Sequence, residues 1–168
     1  MTIEEFNRLD GEAAARLLGT CAEVEGWIAE VLASRPFESR DALLAQAESA
    51  ARGWTPADVD AALANHPRIG ERPEAAAIGA ANAAHSATEQ AGMSTAGGDV
   101  RQAIAEGNAA YEERFGRVFL IRAAGRTPEQ ILAALTARLD NDDTAEAAVV
   151  ADELRQIALL RLEQAVAG

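Results

Sequence analysis

Apolar positions along this chain recur at helical spacing. In "SRDALLAQAESAARG", Leu43, Leu44, Ala47, Ala50 and Ala51 fall on one stripe of a helix. In the last long run, "TAEAAVVADELRQIALLRLEQAVA", the residues Leu154, Ile157, Ala158, Leu160, Leu162 and Val166 supply a core-facing side. Shorter helical runs precede these in "TIEEFNRL", "GEAAARLLGT" and "AEVEGWIAEVLASR", the last stopped by Pro36. Helix starts are marked by side chains that can accept the first free backbone N–H groups: Asp10, Ser39, Thr55, Asp99 and Thr127. Pro56 and Pro128 then occupy the first helical position, and Thr127 with Gln130 has capping-box spacing. Gly53 stands where a helix would end. The pattern predicts an all-α, single-domain bundle of about eight helices over residues 1–168.

Two stretches break the pattern. "VFLI", residues 118–121, is short, apolar and partly β-branched, and reads as an extended piece after Gly116. "ERPEAAAIGAANAAHSATEQAGMSTAGGD" is rich in Gly, Ala and Ser, with a helical turn expected from Ser86 to Gly92. A linker is the plain reading, but the segment lies between two structured parts of one domain. A glycine-rich segment beside a candidate site is often a loop that closes over a ligand.

Composition narrows the partners. Aromatics make up only 4 % of the chain, so Leu, Ile, Val and Ala must supply the packing, which suits closely spaced helices. The formal charge of −12 argues against a nucleic-acid or anionic-membrane surface. A small anionic substrate is compatible if arginines line its pocket. Cys21 is the single cysteine, so no intramolecular disulfide can form. "MTIEEFNRLD" lacks the basic and apolar regions of a signal peptide, and no window is apolar enough to span a bilayer. A cytoplasmic protein is expected.

Few side chains titrate near neutral pH. His66 leaves a helix in "NHPRIGE" and is biased into extended geometry by Pro67. Local physics leaves two readings open: a histidine interacting with helix C-terminal carbonyls, or a proton donor held in place. His85 and Glu89, four residues apart, could share a metal, but no third ligand is near; His85 reads as an exposed helix-entry residue. "SATEQ" fits a capping box from Ser86 to Glu89, or a short helix projecting Glu89 and Gln90 into a cleft. Arg161 lies in the apolar "IALLRLEQ" run. It could meet a substrate anion, or snorkel past a helix edge and pair with Glu163. Arg68 and Arg122 are weaker candidates of the same kind, and Arg138 reads as a helix C-terminal residue. Asn108, Tyr111 and Phe115 share one helical face, for which packing is the first explanation. No glycine-rich dinucleotide fingerprint, P-loop or metal cluster is present, so no cofactor is expected.

Taken in order, "NHPRIGE", "SATEQAG", "NAAYEERFGRVFLIRAAGRTPEQILAAL", "ARLDND" and "ELRQIALLRL" resemble the 2-oxo-4-hydroxy-4-carboxy-5-ureidoimidazoline (OHCU) decarboxylase family. That family performs the last step from urate to (S)-allantoin. The resemblance implies a cofactor-free carboxy-lyase, a homodimer, and OHCU as small-molecule substrate. By the same resemblance His66 is the proton donor, Glu89 a second catalytic group, and Arg161 the holder of substrate anionic groups. Pro67, Ser86 and Gln90 would line the substrate, and the backbone of Phe119, Leu120, Ile121 and Arg122 would contact its ring. Departures from the family pattern fall at Arg68 and at Arg117-Val118. The chemistry fits: loss of CO2 leaves an enolate-like intermediate, so orientation, oxyanion stabilisation and one delivered proton suffice. The alternative class is a non-enzymatic helical binding or scaffold module, in which His66-Pro67 and Ser86 to Gln90 serve only as capping devices.

Overall fold

The computed structural model describes residues 1–64, 66–70, 85 and 87–168. Among these, all regular structure is helical: α1 (Ile3–Arg8), α2 (Gly11–Cys21), α3 (Glu25–Ala33), α4 (Arg40–Ala51), α5 (Pro56–Leu63), a 3-10 segment (Ala91–Thr95), α6 (Gly98–Phe115), α7 (Pro128–Arg138) and α8 (Asp143–Ala165). The all-α expectation therefore holds. The chain divides into two compact units, one of Met1–Ala62 with Arg155–Gly168, the other of Leu63–Leu154.

The expected cap chemistry is largely present. Asp10 and Ser39 accept from the N–H groups of Ala13 and Ala42 at 2.7 and 3.1 Å. Thr127 and Gln130 form a reciprocal capping box, and Thr55 does the same with Asp58. One expectation fails. α6 is capped at Gly97, and Asp99 falls inside its first turn, where a carboxylate faces the positive end of the helix dipole. Gly53 follows α4 as expected, but its N–H bonds Ala50 O at 3.1 Å without entering the left-handed region.

In the first unit, α3 packs against α2 and α4. The indole N–H of Trp27 donates to Ala47 O at 2.9 Å, tying α3 to α4, and the ring meets Trp54 edge-on. Arg35 Nη2 donates to Phe6 O, Asn7 O and Leu9 O at 2.8, 2.7 and 2.5 Å, satisfying carbonyls that the end of α1 leaves without helical partners. From α8, Ile157, Ala158 and Leu162, and Val166 just past its end, are buried as expected, but Leu160 is only half-buried and Arg161 is buried.

In the second unit, α6 crosses α7 closely enough that a Cβ on Gly107 would lie 2.6 Å from Leu135 Cδ2. That contact explains a glycine in mid-helix, where it costs roughly 1 kcal/mol relative to alanine. Ile69, Met93, Ile104, Tyr111, Phe119, Ile121, Ile131 and Leu135 form the surrounding core. α6 ends at Gly116, whose φ of 66° turns the chain into residues 118–123. These residues carry no regular secondary structure, yet Phe119, Leu120, Ile121 and Ala123 are all buried.

Candidate active site

Two irregular stretches of the second unit carry most of the candidate residues. The first is the turn after α5. The His66 N–H donates to Leu63 O at 2.9 Å, which closes the helix end and leaves the imidazole just beyond it. His66 and Pro67 are half-buried. Gly70 completes the turn with φ of 86°, a conformation strained for any residue with a side chain. Three side chains hold this turn. Gln90 Oε1 accepts the Gly70 N–H at 2.9 Å, while its amide nitrogen reaches Arg68 O at a weaker 3.5 Å. Asn108 Nδ2 donates to Ile69 O at 3.0 Å in a buried setting. The Arg68 guanidinium grips Glu112 in a two-pronged pair, with Nε to Oε1 at 2.5 Å and Nη2 to Oε2 at 2.6 Å. The Glu112 carboxyl is held below its ordinary value, chiefly by that hydrogen bond.

Gln90, the last residue of the Ser-x-x-Glu-Gln motif, therefore meets the turn that follows His66 and Pro67. Residues 87–89 are helical, as expected, and Glu89 is half-buried. Ser86, expected to bind substrate and to cap this turn, lies outside the described residues, as does Asn65 of "NHPRIGE". His85 is half-buried rather than exposed.

The second stretch is the buried segment from Phe119 to Arg122. Arg138 Nη1 donates to Leu120 O at 2.7 Å, and the Arg122 N–H donates to Glu153 Oε2 at 2.8 Å. Arg138 is itself fixed by a buried ion pair: its Nε and Nη2 reach Glu146 Oε1 at 2.9 and 2.5 Å. The Tyr111 hydroxyl donates a short hydrogen bond to the same oxygen, and Asn141 Nδ2 donates to Oε2 at 2.8 Å. The Arg138 guanidinium also lies over the Phe119 ring, 4.6 Å from its centroid. Burial, and then the hydrogen bond to Glu146, push the Tyr111 hydroxyl upward, so it stays protonated as the donor. Within this segment the Arg122 N–H is engaged by Glu153.

Arg161 belongs to the first unit, where it is buried and its Nη1 lies 3.3 Å from Thr20 O. Of the two readings left open for Arg161, pairing with Glu163 is not seen, since that carboxylate bonds Arg40 at 2.9 Å. A pocket of about 230 Å3 in the second unit is lined by Ile69, Gly70, Arg101, Asn108 and Glu112 among others, with Arg68, a weaker candidate, as the one member of the expected set. Among the described residues, no group of three His, Cys, Asp or Glu side chains could hold a metal, and no helix is long and apolar enough to cross a membrane.

Sequence reasoning gave Arg138 only a helix-end role and passed over Glu146 and Glu153. A signal for the two acids was available. Glu146 and Glu153 stand one helical turn from Val150 and Ile157, on the buried side of α8, where a carboxylate needs a partner.

The helices define a class first. The fold is shared with a solved structure described as "Crystal structure of OHCU decarboxylase in the presence of (S)-allantoin", at a TM-score of 0.72 and 25 % identity, covering 88 % of this chain and 95 % of that one. The family model described as OHCU decarboxylase matches residues 7–163, and the chain belongs to that family. It is similar to the 2-oxo-4-hydroxy-4-carboxy-5-ureidoimidazoline decarboxylase of Haloferax volcanii, 31 % identical over 165 residues, with 98 % of this chain and 95 % of the relative covered. It is also 29 % identical to the uric acid degradation bifunctional protein PucL of Bacillus subtilis, spanning 96 % of this chain but only 32 % of that longer protein.

Proposed function

We propose that this protein decarboxylates OHCU to (S)-allantoin in urate degradation without a cofactor. Family membership is the observation that carries the reading, since the match runs from residue 7 to 163 and takes in every candidate residue. It also supports treating residues 1–168 as one functional domain, acting as a homodimer as in the family; a cytoplasmic location is part of the same proposal.

The reaction needs little equipment. The bond to the carboxylate breaks, CO2 departs, and its electron pair passes into the unsaturated ring, giving an enolate-like intermediate. One proton delivered to one face then fixes the configuration. His66, as imidazolium, delivers that proton from the end of α5, where Pro67 and the clasped turn restrict its movement. Glu89 bonds the substrate hydroxyl or takes its proton, and a carboxylate near the imidazole favours the imidazolium form. Arg161 holds anionic groups of the substrate, and the backbone between Phe119 and Arg122 contacts the ring.

The test is to supply freshly formed OHCU and follow optical activity by circular dichroism. Rapid appearance of (S)-allantoin, unaffected by chelator, is expected. Absence of acceleration would favour a binding module, and chelator sensitivity would point to a bound metal and against the cofactor-free reading.

A further inference from the structure

The motif "ARLDND" and the two acids of α8 have no part in the chemistry described above, yet they converge behind one segment. Leu120 O is held by Arg138 at 2.7 Å and the Arg122 N–H by Glu153 at 2.8 Å. Both holding residues are buried, with side chains at 8 % and 11 % exposure for Arg138 and Glu153. Each is anchored in turn. Arg138 is fixed by Glu146, whose other oxygen is bound by Asn141, with Tyr111 completing the cluster. Glu153 has Arg126 Nη2 3.6 Å from its second oxygen.

Irregular buried backbone has no ladder to set its register, so side-chain bonds must do so. Charged groups suit this role because charge-assisted hydrogen bonds are short and strong, and because moving them would strand a buried charge. From this geometry we infer that Arg138 and Glu153 are positioning residues for the reaction. They fix Leu120 and Arg122 from the protein side, so that the peptide N–H and C=O of Ile121 between them are the groups left to meet the substrate ring. A paired donor and acceptor on one residue matches the N–H and C=O of a cyclic ureide. This rests on the decarboxylase reading and adds to it the residues that preorganise the ring-binding segment.

The experiment compares wild type with Glu153→Leu, Glu153→Gln and Arg138→Lys. It measures kcat and KM for OHCU, the optical purity of the allantoin formed, and thermal stability. Glu153→Leu removes the acceptor for the Arg122 N–H. We expect KM to rise roughly tenfold or more, with a smaller change in kcat, as ring contacts shared by ground and transition states loosen. Glu153→Gln keeps an acceptor oxygen and should recover most of that loss. Arg138→Lys should likewise raise KM, because a single ammonium cannot serve both Glu146 and Leu120 O as the planar guanidinium does. A folded Glu153→Leu protein with unchanged KM would overturn the positioning role. So would Leu and Gln variants that lose activity only in proportion to stability. If wild type itself does not turn over OHCU, the decarboxylase reading falls, and this role with it.

Discussion

The turn at residues 66–70 and the segment at 118–123 are both irregular backbone of the second unit, held by side chains rather than by a ladder, but the chemistry of the holding differs. The turn is held by two neutral amides, from Gln90 and Asn108, and by an ion pair whose Arg68 and Glu112 side chains are 47 % and 25 % exposed. The segment is held by charges almost removed from water, with Arg138 and Glu146 side chains at 8 % and 2 % exposure. In each pair the shortest nitrogen–oxygen distance is 2.5 Å. Distance therefore says nothing about consequence here. Burial decides, because the cost of stranding a partner rises steeply once water is absent.

Four substitutions test whether burial sets the cost. Arg138→Met should have the largest effect on stability. It strands Glu146, and losses on breaking one side of a buried pair run to about 3–5 kcal/mol. The midpoint of urea unfolding reads this directly, and a double variant, Arg138→Met with Glu146→Leu, should regain much of the loss. Asn108→Ala should cost less, about 1–3 kcal/mol, by leaving the buried Ile69 carbonyl without its donor. Gly70→Ala forces a side chain into φ of 86° and should cost about 1–2 kcal/mol, with a disturbed His66 titration detectable by NMR.

Arg68→Ala should have the smallest effect, below about 1 kcal/mol, as partly exposed pairs usually do. Its pH dependence is specific. Folding lowers the Glu112 carboxyl below its ordinary 4.5, so the pair's contribution is complete above that value and drains away as pH falls through the lowered one. Wild type and Arg68→Ala should differ slightly at pH 7 and converge in acid.

Much of the helical fold was legible because its signals are local. Caps at Asp10, Ser39, Thr55 and Thr127 need only a side chain and the N–H two or three residues on. Asp99 misled because two glycines precede it and the N-cap lies two residues earlier, at Gly97. Leu160 misled because a stripe read at 3.6 residues per turn cannot show that Arg161 is itself buried. In the candidate site, ordered motifs pointed to His66 and to "SATEQ", but nothing local could show Gln90 folding its amide onto Gly70, 20 residues away in sequence. The Arg138–Glu146 pair was hidden for another reason. An arginine in the last turn of a helix already has a sufficient explanation in the helix dipole. Only the tertiary fold shows that its guanidinium is buried against Tyr111, Phe119 and Leu120 O.

The central claim, that His66 is the proton donor of an OHCU decarboxylase, is tested most directly by His66→Asn. Turnover of freshly generated OHCU by this variant is followed by circular dichroism, alongside its unfolding curve. The account predicts a folded protein that has lost roughly 10²- to 10⁴-fold in rate, the usual contribution of a positioned general acid, and whose slow product is no longer optically pure. A variant that still delivers pure (S)-allantoin at the wild-type rate would contradict it.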